Sequence, residues 1–144
     1  MIEQDTVRLL RECDAGVKMG IDAIEQVLPH AQTGELRDCL AESRTEHEAL
    51  DRRLQNLLDR CGDDGKDPNP MAKGMSWIKT NAKLAMDDGD ATVADLITDG
   101  CNMGVKSLRK YLNQYKAADE DSKNVAKNLI ELEERLTVEM RSYL

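Results

Sequence analysis

The chain has no phenylalanine, one tryptophan and three tyrosines in 144 residues, so aromatic side chains make up only 3% of it. A β-rich core leans on aromatic and β-branched side chains. This core must instead come from Leu, Ile, Val, Met and Ala, a set that helices accept. No apolar run approaches the ~18 residues of a membrane span. The opening Met1-Ile2-Glu3-Gln4-Asp5 has no signal-peptide character, so a cytoplasmic location is the expectation. Nor is there a basic stripe: the formal net charge is −8 and the pI about 4.8. Nucleic acid and anionic membrane faces are poor partners for such a surface. The four cysteines (13, 39, 61 and 101) form no Cys-x-x-Cys pair, so each is expected as a reduced thiol serving as a small buried core residue. A nucleophile elbow, a Walker loop and a dinucleotide fingerprint are all missing.

A repeat is present. Cys13-Asp14-Ala15-Gly16-Val17-Lys18 returns as Cys101-Asn102-Met103-Gly104-Val105-Lys106, 88 residues later. Each copy opens a long helical pattern that is followed by a second one. A helical hairpin used twice is the simplest route to a four-helix bundle.

The periodicity places the helices. Over 3–28, Val7, Leu10, Asp14, Val17, Ile21 and Ile24 step by three and four, and Pro29 ends the run. Over 34–61, Leu36, Leu40, Ser43, His47, Leu50 and Leu54 keep that stepping. The turn-rich stretch from Gly62 to Pro70 then stops it. A short helix is expected over 71–86, with Trp77 beside its apolar face. Asp90 is the expected N-cap of the next helix, 91–116, and Ser122 of the last. The last helix matches the second with an offset of 86, His47 falling on Glu133. The expectation is one all-α domain over 1–144: hairpin one 3–61, a crossover with a short helix 62–90, and hairpin two 91–144.

Three ionisable residues interrupt the apolar seams, Asp14, His47 and Glu133, beside the polar Ser43. A buried acid or imidazole alone faces a desolvation cost of several kcal/mol, so partners are expected. Two antiparallel helices put His47 about one turn from Asp14. The first reading is a structural pair, Asp14 accepting from the imidazole and fixing the register. The second is a metal site of Asp14, His47 and Glu133 holding a single iron or zinc ion with an open position. Asn102 lies on a mostly polar line and flanks the core. Gly16, Gly20, Gly100 and Gly104 sit where glycine costs about 1 kcal/mol against alanine. Their recurrence points to close approach of the equivalent helices, with room for a ligand or a bulky methionine as the alternative.

The duplicated hairpin, the Gly74-Met75-Ser76-Trp77-Ile78-Lys79 stretch opening the crossover and the Gly-Val-Lys helix openings resemble the uncharacterised bacterial ferritin-like four-helix-bundle domains. The resemblance implies a ferritin-like bundle and no established activity. Di-iron sites of ferritin-like bundles use a Glu on each of two helices and Glu-x-x-His on each of the others. Here Asp14 and Asn102 stand for the lone acids, and Arg44-x-x-His47 and Ile130-x-x-Glu133 for the two motifs. Both bridging acids are gone, which argues against a working di-iron oxidase. The leading reading is a non-enzymatic bundle, possessing an acidic soluble surface, that self-associates or binds a protein partner through a bundle face. Its rival is the single metal ion. A histidine phosphotransfer bundle needs an exposed His followed by basic and small residues, whereas Glu48, Ala49, Leu50 and Asp51 follow His47.

Overall fold

The computed structural model describes residues 3–66 and 87–144, and these contain four helices and no strand. Helix α1 spans Gln4–Val27 and runs into a single 3₁₀ turn, Leu28–His30, that begins around Pro29. Helix α2 spans Gly34–Arg60, α3 Asp90–Gln114 and α4 Glu120–Met140, with a closing 3₁₀ turn at Arg141–Tyr143. The bounds of α1, α2 and α3 agree with the periodicity to within two residues, whereas α4 starts three residues earlier than a Ser122 cap would place it. The short helix expected over 71–86, with Trp77 and the Gly74 to Lys79 stretch, lies outside the described residues.

The helices pack on one another as a bundle, α1 along α2 and α3 along α4, with α1 also touching α3 and α4, and α2 touching α4. Each buries an apolar stripe, because long Leu and Val side chains three and four apart share a face. The core has two clusters. One joins Leu9, Leu10, Cys13 and Val17 to Leu54, Leu58, Leu108, Val125 and Leu129. The other joins Ile24 and Val27 to Leu36, Leu40, Val93, Ile97, Leu136 and Met140. Early α1 thus lies with late α2, late α3 and early α4, so α1 and α4 run one way and α2 and α3 the other. The chain leaves α2 at one end of the bundle and enters α3 at the opposite end.

Both ends of that long connection are tied down. At its start the backbone N–H of Lys66 donates to Asp14 at 2.9 Å, and Lys66 Nζ donates to Glu12 at 2.7 Å. At its end Asp90 does not cap its own helix, where Gly89 is the N-cap and contributes no side chain. The Asp90 carboxylate instead accepts from the backbone N–H groups of Gln32, at 2.6 Å, and Thr33, at 3.2 Å, and from the Thr33 hydroxyl. It therefore serves the start of α2, whose free amide groups attract a carboxylate. The Thr33 hydroxyl and these amides hold the Asp90 carboxyl below the usual range. Asp90→Ala should lower the unfolding free energy by about 1 kcal/mol, the usual value of a lost helix cap, in a urea titration. A second correction concerns α4. Its N-cap is Asp119, which accepts from the Ser122 backbone N–H at 2.9 Å, while the Ser122 hydroxyl donates back to Asp119 at 2.7 Å.

Candidate functional site

Asp14, His47 and Glu133 are all buried, as their seam positions require. What surrounds each differs from the pairing expected of them. Asp14, fully buried on α1, accepts from Lys18 Nζ one turn later at 2.9 Å and from Gln55 Nε2 of α2 at 2.8 Å. Its third donor is the Lys66 backbone N–H. Gly65 just before it has φ +87°, a left-handed conformation, and a Cβ there would fall well inside contact distance of Asp14 Oδ2. Only glycine suits both conditions. Asp14 is thus the anchor of the connection, and the expected Asp14–His47 hydrogen bond is replaced by these three.

His47 sits on α2 with Nδ1 2.8 Å from the Ser43 carbonyl oxygen. A carbonyl only accepts, so Nδ1 carries the proton and Nε2 the lone pair. The ring lies flat against α1 at Gly20, where a Cβ would be 2.8 Å from Cδ2 and Nε2. Burial lowers the His47 pKa, against smaller raising effects from the Ser43 carbonyl and Glu46.

Glu133 enters the centre of the bundle from α4 and is only 5% exposed. Its Oε2 has no hydrogen-bond partner among the described residues. A Cβ at Gly104 of α3 would be 2.9 Å from Oε1 and closer still to Oε2. Burial pushes its pKa up to about 8, so the carboxyl keeps its proton at neutral pH. Gly20 of α1 and Gly104 of α3 therefore make room for buried polar side chains and do not bring the two helices' backbones together. Gly16 meets Leu129 Cδ2 in ordinary contact at 3.6 Å, and Gly100 faces open space. Gly104→Ala, which at an ordinary helix site gains about 1 kcal/mol, should here destabilise. Combining it with Glu133→Ala should recover most of that loss, a coupling that a double-mutant cycle in urea would measure.

Because α1 and α4 run parallel and Gly16 meets Leu129, one turn further Gly20 and Glu133 share a level, and His47 shares it too. Asp14 lies roughly 9 Å away along α1, six residues at a 1.5 Å rise. The three residues proposed as metal ligands therefore do not converge. Among the described residues no three His, Cys, Asp or Glu side chains are placed to hold one ion. Asp14's oxygens are already taken by three donors, and Asn102, the repeat's counterpart of Asp14, is exposed. The residues present do not fit an iron or zinc centre of the expected composition.

The cysteines offer no reactive thiolate. Burial first, then neighbouring Glu12 and Asp14, pushes Cys13 up to about 12. Burial, then Glu133, does the same for Cys101. Cys39 also rises to about 12, through burial and a 2.6 Å hydrogen bond to Glu139. All four are free; Cys13 and Cys101 are buried as expected, whereas Cys39 and Cys61 are only half-buried. A protonated thiol is a poor nucleophile.

Sequence reasoning missed two features. Gly65 as the partner of Asp14 and Asp90 as a cap for α2 both depend on which helix end meets which loop, and only the cluster Gly62-Asp63-Asp64-Gly65 hinted at the first. Comparisons of the chain with protein-family models, with curated proteins and with solved structures find no match.

Proposed function

We propose that this chain is a non-enzymatic bundle of ferritin-like topology, two helical hairpins joined by a long crossover, that acts by binding a protein partner through an outer face. The directions of the helices support the topology: α1 and α4 run against α2 and α3, with a long connection between the halves. Three observations favour binding over catalysis. The buried polar groups are spent on internal contacts or left neutral, the cysteines stay protonated, and the one hydroxyl beside His47, that of Ser43 at 3.5 Å, faces the Nδ1 that already donates to the Ser43 carbonyl, so the ring has no free base aimed at it.

The observation that carries the reading is where apolar surface is exposed. Within the described helices the large exposed hydrophobic side chains are Met103 of α3, 68% exposed, and Val138 of α4, 52% exposed. At the equivalent positions of the first hairpin stand Ala15, which is buried, and Arg52, which is exposed and charged. Isolated apolar residues on a surface mean little, but their restriction to one half of a duplicated bundle marks that half for contact. Benzoylphenylalanine placed at Val138 and irradiated in cells should form a discrete covalent adduct, while the same group at Arg52 should not. Equal adducts at both positions, or none at Val138, would contradict the reading. Elemental analysis of untagged protein should find neither iron nor zinc in stoichiometric amount; one equivalent lost on His47→Leu would restore the metal alternative.

A further inference from the structure

The repeat relates two grooves, and among the described residues only one of them is filled. Between α1 and α2, the groove around Asp14, Val17, Lys18 and Gln55 holds a stretch of the chain's own backbone: Gly65 lies on Asp14 and Leu58, and the Lys66 N–H donates to Asp14. The offsets of the repeat carry these residues onto Asn102, Val105, Lys106 and Arg141, and carry Arg52 onto Val138. Together with Glu134 and Thr137, these are the residues that line an open groove between α3 and α4. Coverage differs accordingly. Val17 is fully buried, whereas Val105 is half-exposed and Lys106 and Arg141 face solvent.

Charge has changed between the two copies. The filled groove receives Lys66 with acids, Glu12 taking its ammonium and Asp14 its backbone N–H. At the matching positions the open groove has Gly100 and Asn102, and Gln55 has become the cation Arg141. Its one acid, Glu134, is engaged by Arg109 at 3.0 Å. Neither Lys106 nor Arg141 has a carboxylate partner among the described residues. The result is a basic-rimmed groove with a valine floor, on a chain whose net charge is −8.

We propose that the groove between α3 and α4 docks an extended, acidic peptide segment of a protein partner, laid across it as residues 65–66 are laid across the groove between α1 and α2. Asn102 Oδ1 takes the place of the Asp14 oxygen and accepts one backbone N–H of the peptide. Val105 and Val138 receive a small apolar side chain, and Lys106 and Arg141 meet its carboxylates. The proposal rests on the reading that the protein works by binding a protein partner, and it names the surface and the chemistry of that partner.

The test uses the full chain, labelled with nitrogen-15, and two synthetic probes: a nine-residue peptide of Gly, Leu and Asp, and the same peptide with Lys in place of Asp. The acidic peptide should shift the backbone amides of Asn102, Val105, Lys106 and Val138 in a saturable way at about millimolar concentration or below, the range of a short charged contact. The lysine peptide should leave them unmoved. Lys106→Glu combined with Arg141→Glu, two exposed positions, should weaken the acidic peptide by about tenfold or more through charge reversal. No shift in the groove at millimolar peptide, or an equal response to both peptides, would overturn the proposal. Shifts confined to another face would overturn the groove but leave partner binding standing. Groove shifts that track protein concentration without peptide would also overturn it, by making a second copy the occupant. Should the double variant fold poorly, the comparison of the two peptides on the unaltered chain decides the matter.

Discussion

Glu133→Gln should raise the unfolding free energy by about 2–4 kcal/mol at pH 8 while changing it little near pH 4.5. Glu133 is buried with no partner for Oε2 among the described residues, and its folded pKa of about 8 stands well above the ordinary 4.5. A raised carboxyl pKa means the folded state holds the proton more tightly than the unfolded state does. Its contribution is fully present below 4.5 and is lost as pH rises towards 8, at up to 1.36 kcal/mol for each pH unit. His47 works in the opposite sense. Its folded pKa is lowered from 6.5, so its contribution is present above 6.5 and is lost as pH falls. Below 6.5 the two slopes oppose and the dependence on pH flattens, and above 6.5 the Glu133 loss stands alone. Glutamine keeps the shape and never ionises, so the variant should lose the decline between pH 6.5 and 8. Urea unfolding followed by circular dichroism at pH 5, 6.5 and 8 measures this. Parallel declines in both proteins would mean that the buried carboxyl is already ionised and paired.

Asp14→Ala should destabilise by about 3 kcal/mol, because it leaves the Lys66 N–H without its acceptor and takes one carboxylate contact each from the Gln55 amide and Lys18. Gly65→Ala should cost nearly as much, about 2–4 kcal/mol, since an alanine there is strained at φ +87° and collides with Asp14. The two losses should not add. Once Asp14 is gone the connection has already lost its anchor, and only the backbone strain at residue 65 remains. A double-mutant cycle should therefore show coupling of about 1–2 kcal/mol. Independent losses would separate Gly65 from Asp14 and make the observed hydrogen bond incidental. Asp14→Leu with His47→Leu, by contrast, should not recover stability as a mutually paired acid and imidazole would, because the two groups serve different partners.

How much of this was legible in the residues varies with the range of the interaction. Helix bounds were readable because they depend on local signals: apolar spacing, Pro29, and the glycine and aspartate clusters after residue 61. Burial of Asp14, His47 and Glu133 followed from seam position alone. Their partners did not follow, because a seam says which face a residue occupies but not which neighbour reaches it. Asp14 was placed one turn from His47 by counting along two antiparallel helices. The count omitted Gly65 and Lys66, a loop whose left-handed glycine folds it back onto α1. The glycines show the same limit. Gly16 and Gly104 are the repeat's counterparts, yet Gly104 faces the Glu133 carboxyl while Gly16 meets Leu129, and it is Gly20, whose counterpart is Leu108, that faces His47. Asp90 looks like a cap from its place before an apolar run, and it is a cap, but for α2, which is near because α3 starts at the end of the bundle where α2 also starts.

The central claim is that the buried polar residues are structural and that function lies on the outer face of α3 and α4. The most direct test is photo-crosslinking from Val138 in two backgrounds, the unaltered chain and a chain with both Glu133→Gln and His47→Leu. Equal yields of one discrete adduct are predicted, because the interior changes do not reach the surface. Loss of the adduct in a folded double variant would place function at the buried polar layer and contradict the account.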